Sequence, residues 1–355
     1  MSFFQAISNL FDGTFMRESF TPFKAGRGDC NAKKNDSFFG ALFVVSLALW
    51  AVCLFSSVVN LRSIESVISS SRIISEVLLA FWIVQKEKVE SLKKIVFLLS
   101  SLNSIVVLLQ LLESFFSFNT GFNTLSRFWG LSVDPTDDVR KPGLLNGFQS
   151  SSFLSFLTIT WLIRKKEPKL VLVMLLNTVP IVFGSRTFLP FLLLLILLNI
   201  RLVVGVVSLS AAVFLLSSPE LSNSLQQYFF ERILPALKVF LTMDPTMDGS
   251  SQDTLTHYRT PNSLHEWGLG NGMPRYSDLG GKDPFFSRWL LQAGVLAASL
   301  ASLITGFILI KIWKAGKLEN KIFAVALLVA TFKGELVTAT LILTTLLVYS
   351  AENKS

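Results

Sequence analysis

The sequence predicts an all-α polytopic membrane protein with about 10 transmembrane helices and one large extracytoplasmic loop. Hydrophobic residues make up 51% of the 355 residues and charged residues only 16%, whereas a soluble protein carries about 25% charged residues. The apolar residues form long runs separated by short charged loops, as expected for helices that cross a bilayer. Two long polar intervals, residues 113–150 and 217–288, interrupt this pattern.

Residues 1–37 are polar with scattered Phe at helical spacing, which predicts a cytoplasmic tail or a short interfacial helix. Residues 38–112 hold spans one to three, at 38–59, 64–84 and 95–112. We expect no cleavable signal peptide, because the first long apolar run starts near Phe38. Cys30 lies in the polar tail and Cys53 in an apolar run, so both are expected to be free thiols.

Span two carries two charged residues, Arg72 and Glu76. Their spacing places them on one helix face, where they can pair. An Arg at bilayer depth costs about 2.5–3.5 kcal/mol. Arg72 is therefore expected to face the protein interior or water.

Residues 151–216 hold spans four to seven. These spans are separated by the basic turn 164–169, by Gly184-Ser185-Arg186-Thr187 and by Arg201. Residues 289–349 hold spans eight to ten, the last two divided at Lys333-Gly334-Glu335, and residues 350–355 form a cytoplasmic tail.

The loop charges predict the orientation. The loops after spans two, four, six and eight are short and Lys-rich, whereas the opposite set is long and contains mostly Arg. By the positive-inside rule the first set and both termini are cytoplasmic. The net charge of +8 is then a topology signal and does not indicate a nucleic-acid surface. The early part of the interval 217–288 has apolar residues at helical spacing and predicts a helix along the membrane surface.

The predicted outer side suits recognition of an anionic headgroup. Arg72, Arg127, Arg186 and Arg259 lie at outer helix ends or in outer loops, and Arg suits planar, charged recognition of phosphate. The alternative is that some of them meet lipid phosphates or loop carboxylates.

The motifs of cofactor chemistry are absent from the sequence. It contains no CxxC, HExxH, Walker A or dinucleotide fingerprint, so we expect a reaction with no cofactor and no metal.

Three segments resemble the Wzy-type O-antigen polymerases, relatives of the O-antigen ligases in the class-C glycosyltransferase-like membrane group. Arg127 followed by fifteen residues and Gly143 is similar to the family's Arg-x15-Gly motif, and Arg259 followed by ten residues and Gly270 is similar to its Arg-x10-Gly motif. Gly184-Ser185-Arg186-Thr187 ahead of an apolar span resembles the family's Ser-Arg-Thr helix start. The chain departs from the family in having fewer spans, and it carries Asp283 where the ligases have a His.

The resemblance implies a polymerase at the periplasmic face of the bacterial inner membrane that joins oligosaccharide units carried on undecaprenyl diphosphate. Its partners would be this lipid-linked oligosaccharide, membrane lipid and a chain-length regulator, with no nucleic acid. Arg186 and Arg259, with Arg127, would neutralise the leaving diphosphate. The candidates for the general base are Asp283, His265 and His257, and Tyr258 is a candidate for stacking on a sugar ring.

Three alternatives stay open. An O-antigen ligase would use the same donor with a lipid A core acceptor. A flippase for the same lipid-linked sugars would use the intramembrane charges, although no repeat between halves is detectable. A structural scaffold of an export complex would need none of the arginines.

Overall fold

The structure is a computed structural model that describes part of the chain. The described residues are 30–61, 65–85, 89–116, 143–144, 148–163, 169–216, 223, 226–242, 244, 246, 258, 260–272, 285–314 and 317–333. For some of them, including Arg186, the description is of the backbone alone. The chain divides between Leu42 and Phe43 into a small and a large unit, and the packing below is that of the large unit.

The described residues form helices and turns and include no strand. In chain order the α-helices are α1 (Cys30–Asn60), α2 (Glu65–Gln85), α3 (Val89–Phe116), α4 (Phe148–Leu162), α5 (Lys169–Phe183), α6 (Leu189–Leu197), α7 (Ile200–Leu216), α8 (Leu234–Thr242), α9 (Leu264–Leu269), α10 (Phe285–Lys314) and α11 (Leu318–Lys333). A 3₁₀-helix, Arg186–Phe188, lies between α5 and α6. A π-helix, Phe229–Ile233, leads into α8.

Four of these helices are long and apolar enough to cross a membrane. The spans are Phe38–Asn60, Ser66–Ile83, Leu92–Glu113 and Phe285–Lys314. The bent pair of α6 and α7 makes a fifth span if the two helices cross together. A multi-pass, all-helical membrane protein is therefore the architecture of the described residues.

The boundary between predicted spans six and seven was wrong by two residues. The chain bends at Asn199, and the direction of the helix changes by 117° between α6 and the start of α7. Asn199 Oδ1 accepts from the backbone N–H groups of Arg201 (3.1 Å) and Leu202 (3.3 Å), which is the N-cap arrangement that starts a new helix. Arg201, where the break was predicted, already lies inside α7.

A polar seam holds α3, α4 and α5 together. Ser104 Oγ donates to Asn177 Oδ1 (3.2 Å), and Asn103 Nδ2 donates to Ser151 Oγ (2.7 Å). All four side chains are buried. Helices that lie among lipid gain little from apolar contacts with one another, so buried polar pairs of this kind specify which helices associate.

Four phenylalanines form an aromatic cluster that joins three elements. Phe323 of α11 stacks on Phe156 of α4 with ring centroids 5.6 Å apart. Phe188, at the end of the 3₁₀-helix, lies 5.3 Å from Phe156 and 6.1 Å from Phe153. The segment after Arg186 is thereby fixed to the α4–α11 core.

A helical segment covers residues 226–242 of the interval 217–288, and its position along a membrane surface stays a prediction. Tyr228 is buried and stacks on Phe183 at 5.3 Å. Its hydroxyl donates to the carbonyl of Val182 (2.8 Å). The neighbouring Phe229 is exposed.

Some helix ends contact each other. In each of the contacts below, the loop charges predict both ends to lie on the same side of the membrane. At the predicted cytoplasmic ends, the ammonium group of Lys93 lies 5.5 Å from the Trp161 ring. At the predicted outer ends, α1 contacts the turn after α9, and Ser185 contacts Ser152 at the start of α4. The orientation in a membrane stays a prediction.

Candidate functional site

The turn that follows α9 has a backbone that only glycine adopts readily. Gly270 caps α9 with φ 70° and ψ −176°, and its N–H donates to the carbonyl of Glu266 (2.8 Å). Gly272 also has a positive φ of 64°. A Cβ on Gly270 would lie 2.5 Å from the backbone nitrogen of Ala293, so the turn lies directly against the backbone of α10.

A break in α10 receives this turn. Gly294 has φ 86° and ψ 179° inside the helix, which frees backbone groups in the preceding turn. The carbonyl of Leu291 accepts from Asn271 N–H (2.7 Å), and that of Gln292 accepts from Gly272 N–H (3.3 Å). Unsatisfied backbone groups are costly inside a membrane protein, and a broken helix is tolerated where other groups satisfy them.

Helix α1 closes the turn from the other side. Ser56 Oγ donates to the carbonyl of Leu269 and lies 3.4 Å from that of Gln292. Asn60 Nδ2 lies 3.3 Å from the carbonyl oxygen of Leu269 and 3.5 Å from that of Gly270. The glycine turn is thus held by three helices, α1, α9 and α10.

His265 lies on α9 beside this turn. Its side chain is exposed, and its Nε2 atom lies 3.2 Å from Asn60 Oδ1. The helix is started by Ser263, whose Oγ accepts from Glu266 N–H (3.2 Å), while Glu266 Oε2 accepts from Asn262 N–H (2.7 Å). These bonds resemble a capping box and fix the position of His265 on a short helix.

Tyr258 connects the site to the end of α11. Its hydroxyl donates to the carbonyl of Phe332, one of the last carbonyls of the helix, which lack intrahelical partners. Partial burial raises the pKa of Tyr258, because the phenolate would lose hydration. Tyr258 is 40% exposed, so part of the residue is accessible.

Arg288 is a buried residue that the sequence analysis did not select. It is only 4% exposed, its Nη2 atom donates to Ser69 Oγ (3.0 Å), and its Nε donates to Gln292 Oε1 (3.4 Å). The Arg therefore links α10 to α2. An Arg directly before an apolar run is the signal that singled out Arg186, and the same signal at Arg288 would have found it.

Gly143, in the polar interval 113–150, is held in a similar way. Gly143 has φ 70°, and a Cβ there would lie 2.3 Å from Asn103 Oδ1. Its N–H donates to Gln110 Oε1 (3.1 Å), and Leu144 N–H donates to Asn103 Oδ1 (2.8 Å). Two amide side chains of α3 thus hold this turn.

The Ser-Arg-Thr segment is anchored close to the same polar groups. Ser185 N–H donates to Ser152 Oγ (2.7 Å), and that hydroxyl donates to the carbonyl of Pro180 (2.6 Å). The neighbouring Ser151 accepts from Asn103, the residue that holds the Gly143 turn. The structure therefore brings the Gly143 turn and the start of the Ser-Arg-Thr segment to one region of α3 and α4.

Arg72 lies on α2 in a shallow cleft. The cleft is lined by Ile68, Ser71, Arg72, Ser75 and Glu76, so Arg72 and Glu76 share a face as their spacing predicts. Arg72 is exposed and is not buried among the described helices.

Several predicted site residues lie outside the described residues. Arg127, Arg259, His257 and Asp283 belong to this set, and Arg186 is described by its backbone as the first residue of the 3₁₀-helix. The convergence of the arginines therefore stays a prediction. Within the part of the chain that the structure describes, no group of three or more His, Cys, Asp or Glu side chains could hold a metal ion.

Comparison of the chain with protein-family models, with curated proteins and with solved structures finds no match in any of the three. The functional argument therefore depends on the residues of this chain.

Proposed function

We propose that this protein is an O-antigen-type polysaccharide polymerase. It joins oligosaccharide units carried on undecaprenyl diphosphate at the periplasmic face of the bacterial inner membrane. The proposal includes about 10 spans, a large periplasmic loop over residues 217–288 and cytoplasmic termini.

One observation carries the proposal: both glycines that end the Arg-x15-Gly and Arg-x10-Gly segments are required as glycine. Gly143 and Gly270 each have φ 70°, and at each a Cβ would lie within 2.5 Å of another residue. The resemblance selected these positions by spacing alone. The contacts of these glycines support the view that each segment ends in an anchored turn, from which an Arg at a fixed chain distance can reach a common ligand.

The proposed reaction transfers the growing glycan from its lipid diphosphate to a hydroxyl of the next unit. The acceptor oxygen bonds to the anomeric carbon as the bond from that carbon to the diphosphate oxygen breaks. Arg127, Arg186 and Arg259 neutralise the charge that develops on the diphosphate, because Arg forms bidentate, permanently charged contacts with phosphate. A general base removes the hydroxyl proton, and a chain-length regulator is a further partner.

The test is the surface polysaccharide of a strain that lacks the gene. We expect lipopolysaccharide with a single repeat unit in the deletion strain and a full ladder after complementation. Arg186→Ala and Arg259→Ala should abolish the ladder at normal protein levels. Arg201→Ala is the matched control, because Arg201 lies at a predicted cytoplasmic helix end, away from the proposed periplasmic site. This variant should restore the ladder.

The other outcomes identify the alternatives. A deletion strain with no repeat unit on its lipopolysaccharide indicates a ligase. Purified protein that forms a ladder in detergent, with no second compartment, excludes a pure flippase. Unchanged polymer synthesis in both Arg→Ala variants contradicts the proposal and favours a scaffold.

A further inference from the structure

The contacts of Asn60 decide which way its amide group points. Its Nδ2 atom lies 3.0 Å from the carbonyl oxygen of Ser56 and 3.3 Å from that of Leu269, with the carbonyl oxygen of Gly270 at 3.5 Å. A flipped amide would place Oδ1 against these carbonyl oxygens, which offer it no hydrogen. The Ser56 hydroxyl also lies 3.3 Å from Nδ2, but it already donates to the carbonyl of Leu269. The donor nitrogen therefore belongs there.

This orientation directs Asn60 Oδ1 at His265. The oxygen lies 3.2 Å from Nε2 of the imidazole ring. A carbonyl oxygen accepts only, so Nε2 must carry the hydrogen, and in a neutral imidazole the other nitrogen then has the free electron pair. The imidazole of His265 is held in one tautomer, with Nδ1 as its basic atom.

We infer that Asn60 is a positioning residue that keeps Nδ1 of His265 ready to accept the proton of the acceptor sugar hydroxyl. The inference rests on the proposed function and selects His265 from the three candidate bases. His265 is exposed, which gives a substrate access to it. Asn60 also holds the carbonyls of Leu269 and Gly270, so the orientation of the imidazole depends on the turn that ends the Arg-x10-Gly segment.

His265 takes one proton in the proposed step. The acceptor hydroxyl gives its proton to Nδ1 while its oxygen bonds to the anomeric carbon, and the electron pair of the breaking bond leaves with the diphosphate. His265 becomes an imidazolium, whose Nε2–H remains bonded to Asn60 Oδ1. The proton then passes to solvent, which restores the neutral ring.

The described charged groups close to this pair have partners of their own. Glu266, the next residue on α9, accepts from Asn262 N–H with its carboxylate (2.7 Å). Arg288 of α10 donates to Ser69 Oγ and to Gln292 Oε1. Asn60 is the residue whose contact with the imidazole determines the position of the proton.

The first experiment measures the tautomer and does not depend on activity. The chain has two His, so purified His257→Gln protein labelled with ¹⁵N-histidine reports His265 alone. The spectrum is recorded at an alkaline pH at which the nitrogen signals are those of a neutral ring, and we expect this ring to be protonated at Nε2. Asn60→Leu should give a mixture of tautomers, and the control Asn262→Ala should keep the single form. A wild-type ring protonated at Nδ1, or a tautomer mixture, overturns the inference.

The second experiment measures the initial rate of polymerisation with purified lipid-linked repeat unit. His265→Gln keeps an amide N–H that can bond to Asn60 but has no basic nitrogen, so kcat should fall by about 10² to 10⁴ with KM little changed. Elution as a single species shows that the variant is folded. A His265→Gln enzyme with the wild-type rate overturns the inference and leaves the polymerase intact, whereas wild-type protein that makes no polymer counts against the proposed function itself.

Discussion

The turns at Gly143 and Gly270 are both held against neighbouring helices, but different groups hold them. The turn at Gly143 is held by side chains, since Gln110 and Asn103 of α3 accept from its backbone N–H groups. The turn at Gly270 is held by backbone in addition to side chains. Carbonyls of the broken helix α10 accept from Asn271 and Gly272, and Ser56 and Asn60 donate to the carbonyl of Leu269. Side chains can adopt another rotamer at moderate cost, whereas a helix backbone cannot move without losing its own hydrogen bonds.

The difference predicts how each turn responds to change. An atom added at Gly143 meets the end of a side chain, at 2.3 Å from Asn103 Oδ1. An atom added at Gly270 or Gly294 meets backbone, at 2.5 Å from Ala293 N and 2.1 Å from Gly268 O respectively. The second turn is therefore the more rigid, and it is also the turn that positions His265.

The largest effect is expected at the backbone contact. Gly270 and Gly294 both combine a positive φ with a ψ near 180°, a region that is essentially restricted to glycine. We expect Gly270→Ala and Gly294→Ala each to lower the free energy of unfolding by about 3 kcal/mol or more. The thermal unfolding midpoint in detergent measures this.

Two glycines of the same region provide controls. Gly268 and Gly306 have no atom within 4 Å of a built Cβ, so Gly268→Ala and Gly306→Ala should leave the midpoint unchanged or raise it slightly. If Gly294→Ala unfolds at the same temperature as Gly306→Ala, the close contact between the turn and α10 is wrong.

A smaller effect is expected at Gly143. An L-residue in a left-handed conformation costs about 1–2 kcal/mol. The atoms nearest to the added methyl group are side-chain atoms of Asn103 at 2.3 Å and Val107 at 2.8 Å, and none of them is a backbone atom. The midpoint of Gly143→Ala should therefore fall less than that of Gly270→Ala. In an Asn103→Ala background the same substitution should cost less still, because the overlapping oxygen is gone. Equal costs in both backgrounds would show that Asn103 does not restrict this turn.

The comparison also shows how far the sequence predicts the fold. Apolar runs predicted the long helices because the bilayer selects for length and composition, both of which are local properties. The break at Gly294 was not predicted, because one glycine in an apolar run is tolerated in a straight helix as well. What makes it a break is the turn 268–272, which is distant in sequence.

The same limit applies to the candidate site. The spacing of Arg and Gly pointed to Gly143 and Gly270, but not to Asn103 or Asn60, which hold the turns from other helices. An Asn at the end of an apolar run has no local pattern that reveals its partner. Arg288 was different, since its position before an apolar run was a usable signal.

The smallest predicted effect concerns Tyr258, which connects the second turn's loop to α11. Tyr258→Phe removes the hydroxyl that donates to Phe332 O and should cost about 0.5–1.5 kcal/mol, as for a typical hydrogen bond.

Burial raises the pKa of Tyr258, so the folded protein retains the phenol proton at a pH where the unfolded chain releases it. The stabilisation is therefore fully present below the unfolded value, about 10, and is lost as the pH rises further. The difference in unfolding midpoint between wild type and Tyr258→Phe should be constant from neutral pH to about 9 and narrow above about 10. A constant difference across that range would show that the phenol does not titrate with unfolding.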